Sequence, residues 1–314
     1  MRVLVLGDAM LDVYKTVIPT KLSQEAPVVV GLFDSDTFVP GGAANAAANC
    51  VALGAEAILV SYLGNDNTGK CLKTVLADFG VLNACVTPAN WDTIRKERIV
   101  DPQFRQLCRV DYEVADPLTK KASTSALRSR LRKFVDECDC LFIYDYAKGT
   151  CNWILEYSIK LFKSKDKFVV VNGKPEHVRK YRGADLVTMN ESEWRESYLK
   201  EFANPEPIDY PEQILHRMRI LFNGGHVDPL KFTTLAMTRG SKGMFILRPK
   251  ALTVENYRAE KVNVADVSGA GDTVASVFAI RASSDPETCH DAMKMAAQVV
   301  QFNGTAVPNA RSLG

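Results

Sequence analysis

The chain contains no apolar run approaching the ~18–20 residues that a membrane-spanning helix needs. Its N-terminus, MRVLVLGDAML, is apolar only briefly before reaching Asp8. A first strand rather than a signal peptide is therefore expected there. Histidine is scarce: His177, His216, His226 and His290 stand far from one another and from the cysteines. The eight cysteines form no CxxC pair, and the nearest approach to one is Cys138 with Cys140. These absences argue against a structural zinc site and for reduced thiols in a cytoplasmic protein. Excess charge is lacking too. Lys and Arg number 39 against 37 Asp and Glu, so bulk electrostatics give no reason to expect a nucleic-acid or membrane partner. No Pro/Gly/Ser-rich linker and no internal repeat divides the chain, so residues 1–314 read as a single large domain.

What is present is an alternation. VLVLG (3–7), AILVSYLG (57–64), CLFIY (140–144), FVVVN (168–172), LVTMN (186–190) and TTLAMT (233–238) are short apolar runs bounded by turn residues. Between them lie helical patterns such as AANAAANCVALG, SALRSRLRKFVDE and ILEYSIKLF. Continuous apolar strands alternating with helices predict a doubly wound α/β fold with a mainly parallel sheet. Two regions break the rhythm, VVVGLFDSDTFV (28–39) and Thr93 to Val114. Their partial apolar–polar alternation predicts antiparallel strands with one wet face, forming a small flap, or lid, from about 12–39 and 93–114. RSRLRK (128–133) and KLFKSKDK (160–167) are basic clusters, expected as solvated faces.

GNDNTGK (64–70) has the spacing of a phosphate-binding P-loop, but Cys71 stands where that motif needs a hydroxyl for Mg²⁺. A thiol is a poor ligand for a hard cation. The segment is instead expected to be a turn with side-chain hydrogen bonds from Asn65 and Asp66.

The segment DVSGAGDTVASVFA (266–279) places Gly269, Ala270 and Gly271 before Asp272, at the start of a helical run. A helix N-terminus carries unsatisfied N–H groups and partial positive charge, and small residues let an anion approach it. An acid beside it can accept the proton of an attacking hydroxyl. The residues read equally as an Asp N-cap with glycines in a tight turn. PGGAANAAANC (40–50) is a second Gly-rich helix start with Asn45 one turn in, and GDAMLD sets Asp8 and Asp12 after strand one, where α/β sheets bind ligands.

Taken together, these motifs resemble the ribokinase-like (PfkB) carbohydrate kinases. The resemblance rests on Gly41-Gly42 with Asn45, Asn190-Glu191-Ser192-Glu193 (an NxxE), Thr238-Arg239-Gly240 with Gly243, and the GAGD of Gly269 to Asp272, in the same order over nearly the whole chain. GNDNTG falls where that family has a Gly-x-Asp-x-x-Gly turn. LSQEAPVVV (22–30), GDAMLD, DYAKG (145–149), KYRGADLVTMNESE (180–193) and GTAVP (304–308) are similar to the heptose 7-phosphate kinases of bacterial surface-polysaccharide synthesis.

The resemblance implies ATP and Mg²⁺ as cofactors, with K⁺ near the GAGD loop in many members, and transfer to the anomeric hydroxyl of D-glycero-D-manno-heptose 7-phosphate. It implies Asp272 as catalytic base and Gly269, Ala270 and Gly271 as its anion hole. Asn190 and Glu193 would organise Mg²⁺ through water. Thr238, Arg239, Gly240, Gly243 and Lys174 would serve the nucleotide. Asp8, Asp12, Gly41, Gly42 and Asn45 would hold the sugar, with Lys148, Lys21, Arg98 and Arg109 as candidates for its phosphate. A homodimer through the lid is expected, because pairing two small flap sheets covers their edges and faces. Some relatives carry a following nucleotidyltransferase domain; this chain is expected to be the kinase part.

Two departures stand out. Asn172-Gly173-Lys174 replaces the usual Asp-Pro-Lys, and Met293, Lys294 and Met295 are bulkier than is usual near the adenine pocket. An unphosphorylated-sugar kinase of ribokinase or fructokinase type, and a non-catalytic sugar- or nucleotide-binding relative, are the alternatives.

Overall fold

A computed structural model of the chain describes residues 1–113, 120–201, 232–251, 253–304 and 306–308. Val114 of the second lid segment, Thr305 of GTAVP, and His216 and His226 lie outside the described residues.

Strand β1 (Arg2–Gly7) leads directly into β2 (Ala9–Leu22) and β3 (Val29–Gly42), then helix α1 (Ala43–Ala52) and β4 (Glu56–Val60). Helix α2 (Asn67–Asp78), β5 (Leu82–Asn83), β6 (Ile94–Val100) and β7 (Gln106–Tyr112) follow. The next elements are α3 (Lys120–Phe134), β8 (Cys140–Tyr144), α4 (Leu155–Lys163), β9 (Phe168–Asn172), a 3₁₀ helix (Pro175–Tyr181), β10 (Leu186–Asn190) and α5 (Glu191–Glu201). The described C-terminal part contains β11 (Thr234–Thr238), β12 (Met244–Arg248), β13 (Thr253–Tyr257), α6 (Ala270–Arg281) and α7 (Pro286–Val299).

Nine strands form one sheet in the order β13-β12-β11-β10-β9-β8-β1-β4-β5. Strands β11, β12 and β13 pair antiparallel at one edge, and the remaining pairs are parallel. Because successive strand residues point to opposite faces, β1 feeds two cores. Val3 and Val5 pack with α1, α2, α6 and α7, while Leu4 and Leu6 pack with α3, α4 and the 3₁₀ helix. Strands buried on both faces explain why the apolar runs in the sequence are continuous rather than alternating.

From β1 the chain moves to β4 on one side and later to β8 on the other. Such a reversal opens a crevice at the carboxyl ends of the strands. Asp8 follows β1, Asp145 follows β8, Lys174 follows β9, and Asn190 and Thr238 end β10 and β11.

The lid is a separate four-stranded sheet, β3-β2-β6-β7. Its two hairpins are antiparallel, and they join through a parallel β2–β6 pair. Strand β2 is buried from Ala9 to Tyr14 and exposed beyond Ile18, so the lid is rooted in the domain and projects from it. One motif supports that root. Asp66 caps α2 by accepting from Gly69 N (2.8 Å), and it also accepts from the N–H (3.0 Å) and hydroxyl (2.8 Å) of Thr93 at the base of β6. GNDNTGK is thus a capping turn that moors the lid.

Candidate active site

Asp272 stands in the first turn of α6, after Gly269, whose φ of 83° starts the helix. Where a Cβ on Gly271 would stand, no heavy atom lies within 4 Å, so the approach to the α6 N-terminus is open. The half-buried Asp272 carboxylate is held from two sides. Asn45 Nδ2 donates to Oδ2 at 2.7 Å, and the Tyr144 hydroxyl donates to Oδ1. Burial pushes this carboxyl up to about 6, against those two hydrogen bonds, which pull it down; the Asp12 charge raises it and Lys174 lowers it. Burial and the Asp272 charge hold the Tyr144 phenol far above its ordinary range, so it remains a proton donor. A carboxyl near neutrality, oriented by two donors at an open helix N-terminus, suits a general base facing an anion.

Asn45, expected near the sugar, is brought to Asp272 by its amide. One turn on, Asn49 Oδ1 accepts from Thr273 Oγ1 at 2.8 Å, so α1 and α6 are pinned by two side-chain bonds. Gly41 and Gly42 are buried at the end of β3, where they pass beneath Asp12 and Asp8.

Asp8 presents no free carboxylate. It is fully buried, and its oxygens accept the N–H groups of Tyr146 (3.0 Å), Lys148 (3.0 Å) and Thr150 (2.8 Å). It shapes the DYAKG loop, because a buried acid surrounded by orphan N–H groups is satisfied by taking them. Asp12 differs. Its Oδ1 is buried without a hydrogen-bond partner, although Arg98 Nη1, equally unpartnered, stands 3.0 Å away. The two form a buried charge pair at the root of the lid.

Around Asp12 the lid gathers cations. Arg109 grips Asp111 at 2.7 and 2.8 Å, and Lys96 lies 3.1 Å from Asp111 and 3.6 Å from Glu113. Lys148 donates to Glu113 at 2.7 Å. Lys96 is an addition that sequence reading missed, since an alternating strand gave no sign of which face it would take. Lys21 is not brought here. It lies nine residues beyond Asp12 on the same strand, about 30 Å at ~3.3 Å per residue, paired with Val30 at the exposed lid end.

On the other side of Asp272, Lys174 Nζ bonds Glu193 Oε1 and lies 4.6 Å from the Tyr146 ring centre, which is stacked on Tyr144 at 5.4 Å. The NxxE pair forms a reciprocal cap at the head of α5. Glu193 N donates to Asn190 Oδ1 (2.8 Å), and Asn190 N donates to Glu193 Oε2 (2.9 Å). A carboxylate and an amide oxygen are the hard donors a Mg²⁺ ion takes. Since both are already engaged, water-mediated contact fits better than direct ligation.

Beyond Asn190 lies a cleft of ≈ 580 Å³ lined by Asn190, Glu191, Arg195, Arg239, Gly240 and Lys242 among others. Arg239 lies 4.1 Å from the Phe245 ring centre, and its buried Nε has no hydrogen-bond partner. Three cations, Arg195, Arg239 and Lys242, stand here with two carboxylates, Glu191 and Glu196, and Arg239 Nε lies 3.8 Å from Glu191 Oε2; guanidinium and ammonium groups so placed suit the phosphates of a nucleotide. Thr238 ends β11 at this cleft, and Gly243 (φ 90°) closes the turn after it against Tyr257 O.

The departures have physical reasons. A Cβ on Gly173 would stand 2.5 Å from the Tyr181 ring, so the small residue admits that ring. The Tyr181 hydroxyl then accepts from Lys174 N and donates to Asp145 Oδ2, both at 2.7 Å. Met293 and Met295 stand on the buried side of α7 and belong to the core.

Tyr144 and Tyr146, like Lys96, went unnoticed in the sequence. Both flank the carboxyl end of β8, and that position was the one signal available, because CLFIY otherwise reads as core.

The pfkB family carbohydrate kinase model matches residues 1–311. Bifunctional protein HldE of Paramagnetospirillum magneticum is 33% identical over 313 residues, covering 97% of this chain and 61% of that protein. Bifunctional protein HldE of Pasteurella multocida is 33% identical over 308 residues, with the same coverage. The chain thus spans about three fifths of the length of these curated relatives. Among solved structures, phosphofructokinase-2 from Escherichia coli in complex with potassium superposes with a TM-score of 0.76 at 16% identity, over 99% of this chain and 96% of that one. Arabidopsis thaliana ribokinase complexed with ribose and ATP gives 0.72 at 19% identity, with the same coverage.

Proposed function

Since the chain belongs to the pfkB family of carbohydrate kinases, we propose that it transfers the terminal phosphoryl group of ATP to the anomeric hydroxyl of D-glycero-D-manno-heptose 7-phosphate. The observation that carries the transfer step is Asp272, a carboxyl pushed up to about 6 and aimed by Tyr144 and Asn45 at the head of α6. Asp272 takes the proton of the sugar hydroxyl as that oxygen attacks, and the first N–H groups of α6 receive the charge of the moving phosphoryl. Lys174, between Asp272 and Glu193, neutralises charge on the transferred group. Asn190 and Glu193 would hold Mg²⁺ through water, and the ion would supply positive charge to offset that of the nucleotide phosphates. Thr238, Arg239, Gly240 and Gly243 would form the nucleotide side.

A phosphorylated acceptor is favoured by the lid. Among the described residues, Lys96, Arg98, Arg109 and Lys148 have only Asp12, Asp111 and Glu113 as ion-pair partners, a surplus of positive charge that a distal phosphate would neutralise. The LSQEAP and DYAKG likenesses point the same way. Closure of the lid would exclude water and so suppress ATP hydrolysis. The projecting end of the lid exposes Ile18, Leu22, Leu32 and Phe33, and we assign it to a homodimer contact. Among the described residues no helix is long and apolar enough to cross a membrane.

The test is ADP release over a panel of sugars and sugar phosphates. Turnover with heptose 7-phosphate and none with ribose or fructose is expected; the reverse pattern would transfer the assignment to an unphosphorylated-sugar kinase.

A further inference from the structure

Asp145, the first residue of DYAKG, takes no part in the transfer described above, yet its carboxylate is buried and fully engaged. Oδ1 accepts from Ala147 N at 2.9 Å. Oδ2 meets His177 Nδ1 and accepts from the Tyr181 hydroxyl, both at 2.7 Å. A carboxylate withdrawn from water is costly unless donors surround it. Here two of the donors come from the 3₁₀ helix that follows Lys174, and both also hold the Lys174 backbone. The Tyr181 hydroxyl accepts from Lys174 N at 2.7 Å, and Lys174 O accepts from His177 N at 3.1 Å.

A phenol has one proton to give. Asp145 Oδ2, at 2.7 Å, and Lys174 O, at 3.1 Å, compete for it, and the shorter, charge-assisted bond prevails. Asp145 thereby turns a lone pair of the Tyr181 oxygen toward Lys174 N. Burial, and then the Asp145 charge, hold the Tyr181 phenol far above its ordinary range, so it keeps that proton. The clamp acts where the chain is otherwise loose. Gly173 precedes Lys174, and glycine restrains the backbone least. A Cβ on Gly173 would stand 2.5 Å from the Tyr181 ring, so the residue that loosens the segment also admits the ring that fixes it.

At its other end the Lys174 ammonium bonds Glu193 and lies 4.6 Å from the Tyr146 ring centre. Tyr146 stacks on Tyr144, whose hydroxyl bonds Asp272. Three consecutive residues at the end of β8 thus divide the task. Tyr144 orients the base, Asp145 clamps the root of Lys174, and Tyr146 supports its tip. A lysine ammonium rides on a flexible four-carbon stem, so its placement needs both ends fixed. We propose that Asp145, acting through Tyr181, is a positioning residue that places Lys174 beside Asp272 for phosphoryl transfer, an inference that rests on the kinase reading above.

Two measurements test it. Hydrogen exchange of the Lys174 amide, read by NMR without substrate, reports the clamp. Relative to the Val5 amide in β1, which reports global opening, it is expected to quicken by about tenfold in Tyr181→Phe. Turnover with the sugar phosphate reports the consequence. In Tyr181→Phe, kcat is expected to fall by about tenfold, with both KM values within about twofold of the parent. Lys174→Met is slower still, and Tyr181→Phe/Lys174→Met is expected to be no slower than Lys174→Met alone, because nothing is left to position. Asp145→Asn keeps the shape and removes the charge; it carries the same cycle where a thermal melt shows Tyr181→Phe unfolded, with a kcat loss of about fivefold expected. An unchanged exchange rate, an unchanged kcat, or losses that add in the paired variant would each overturn the proposal. Exchange needs no substrate, so absence of turnover in the parent, which would sink the kinase reading, is told apart from absence of the clamp.

Discussion

Asn45 and Asp272 stand 227 positions apart in the chain and 2.7 Å apart in space, amide to carboxylate. That bond, with the Tyr144 hydroxyl on the other oxygen, fixes the direction in which Asp272 presents its lone pair. It also makes α1 and α6 a single unit, reinforced by Asn49 and Thr273.

If Asp272 is the base, Asp272→Asn should retain nucleotide binding and lose turnover by a factor on the order of 10²–10⁴, the usual worth of general-base catalysis. ADP release measures the loss, and undiminished turnover would remove Asp272 from the mechanism. Stability should move the other way. The folded carboxyl titrates near about 6, above an unfolded value of roughly 3.9, so stabilisation present below the unfolded value is lost as pH rises through the folded one. The Asn variant is spared that loss, and its Tm at pH 8 should exceed that of the parent.

The acid limb of kcat/KM should fall through an apparent pKa near 6, since the base must be ionised in the free enzyme. Tyr144 and Asn45 lower that value by donating to the carboxylate. Tyr144→Phe should therefore move the limb to higher pH, with a loss at pH 8 of roughly tenfold or less. A pH–rate profile decides it; an unmoved or lowered limb would show that Tyr144 does not set the charge of Asp272.

Asp8→Ala should destabilise the domain by about 3 kcal/mol, because three backbone N–H groups lose their acceptor. Urea unfolding measures this. An intact Tm with a raised sugar KM alone would restore Asp8 as a direct sugar contact.

Gly243→Ala should cost at least ~2 kcal/mol. The glycine has φ 90°, and an added Cβ would meet Tyr257 O at 2.0 Å. The β11–β12 turn would shift, and nucleotide affinity should fall with it. A thermal melt and an ADP titration read the two effects.

A dimer built on the lid predicts that Phe33→Asp, a charge placed at the exposed end of the lid, yields a monomer in sedimentation velocity. A dimer that persists would place the contact elsewhere.

Much of the sheet was legible in advance. CLFIY, FVVVN, LVTMN and TTLAMT each became a buried strand within a residue or so of the expected limits, because parallel strands covered on both faces leave continuous apolar runs. The GAGD helix start was legible because glycines before an acid are a local feature. The surroundings of Asp8 were not legible, because one position after a strand serves equally a ligand acid and a loop-organising acid; the N–H groups of Tyr146, Lys148 and Thr150 come to it only in the fold. Lys21 misled because distance along a strand is invisible until the strand's length is known. Tyr144 went unseen because an aromatic at a strand end looks the same whether its hydroxyl is idle or bonded.

By itself the sequence determined what is periodic and local: the alternation of strands and helices, the glycine-lined helix starts, and the Asp66 and Asn190–Glu193 caps, whose partners lie within a few positions. The tertiary structure alone decided which carboxylate is free and which is consumed. It also decided which cations are paired. The reason is that charge and hydrogen bonding act through space over a few ångströms, and these residues become neighbours only when helices far apart in the chain dock on a common sheet.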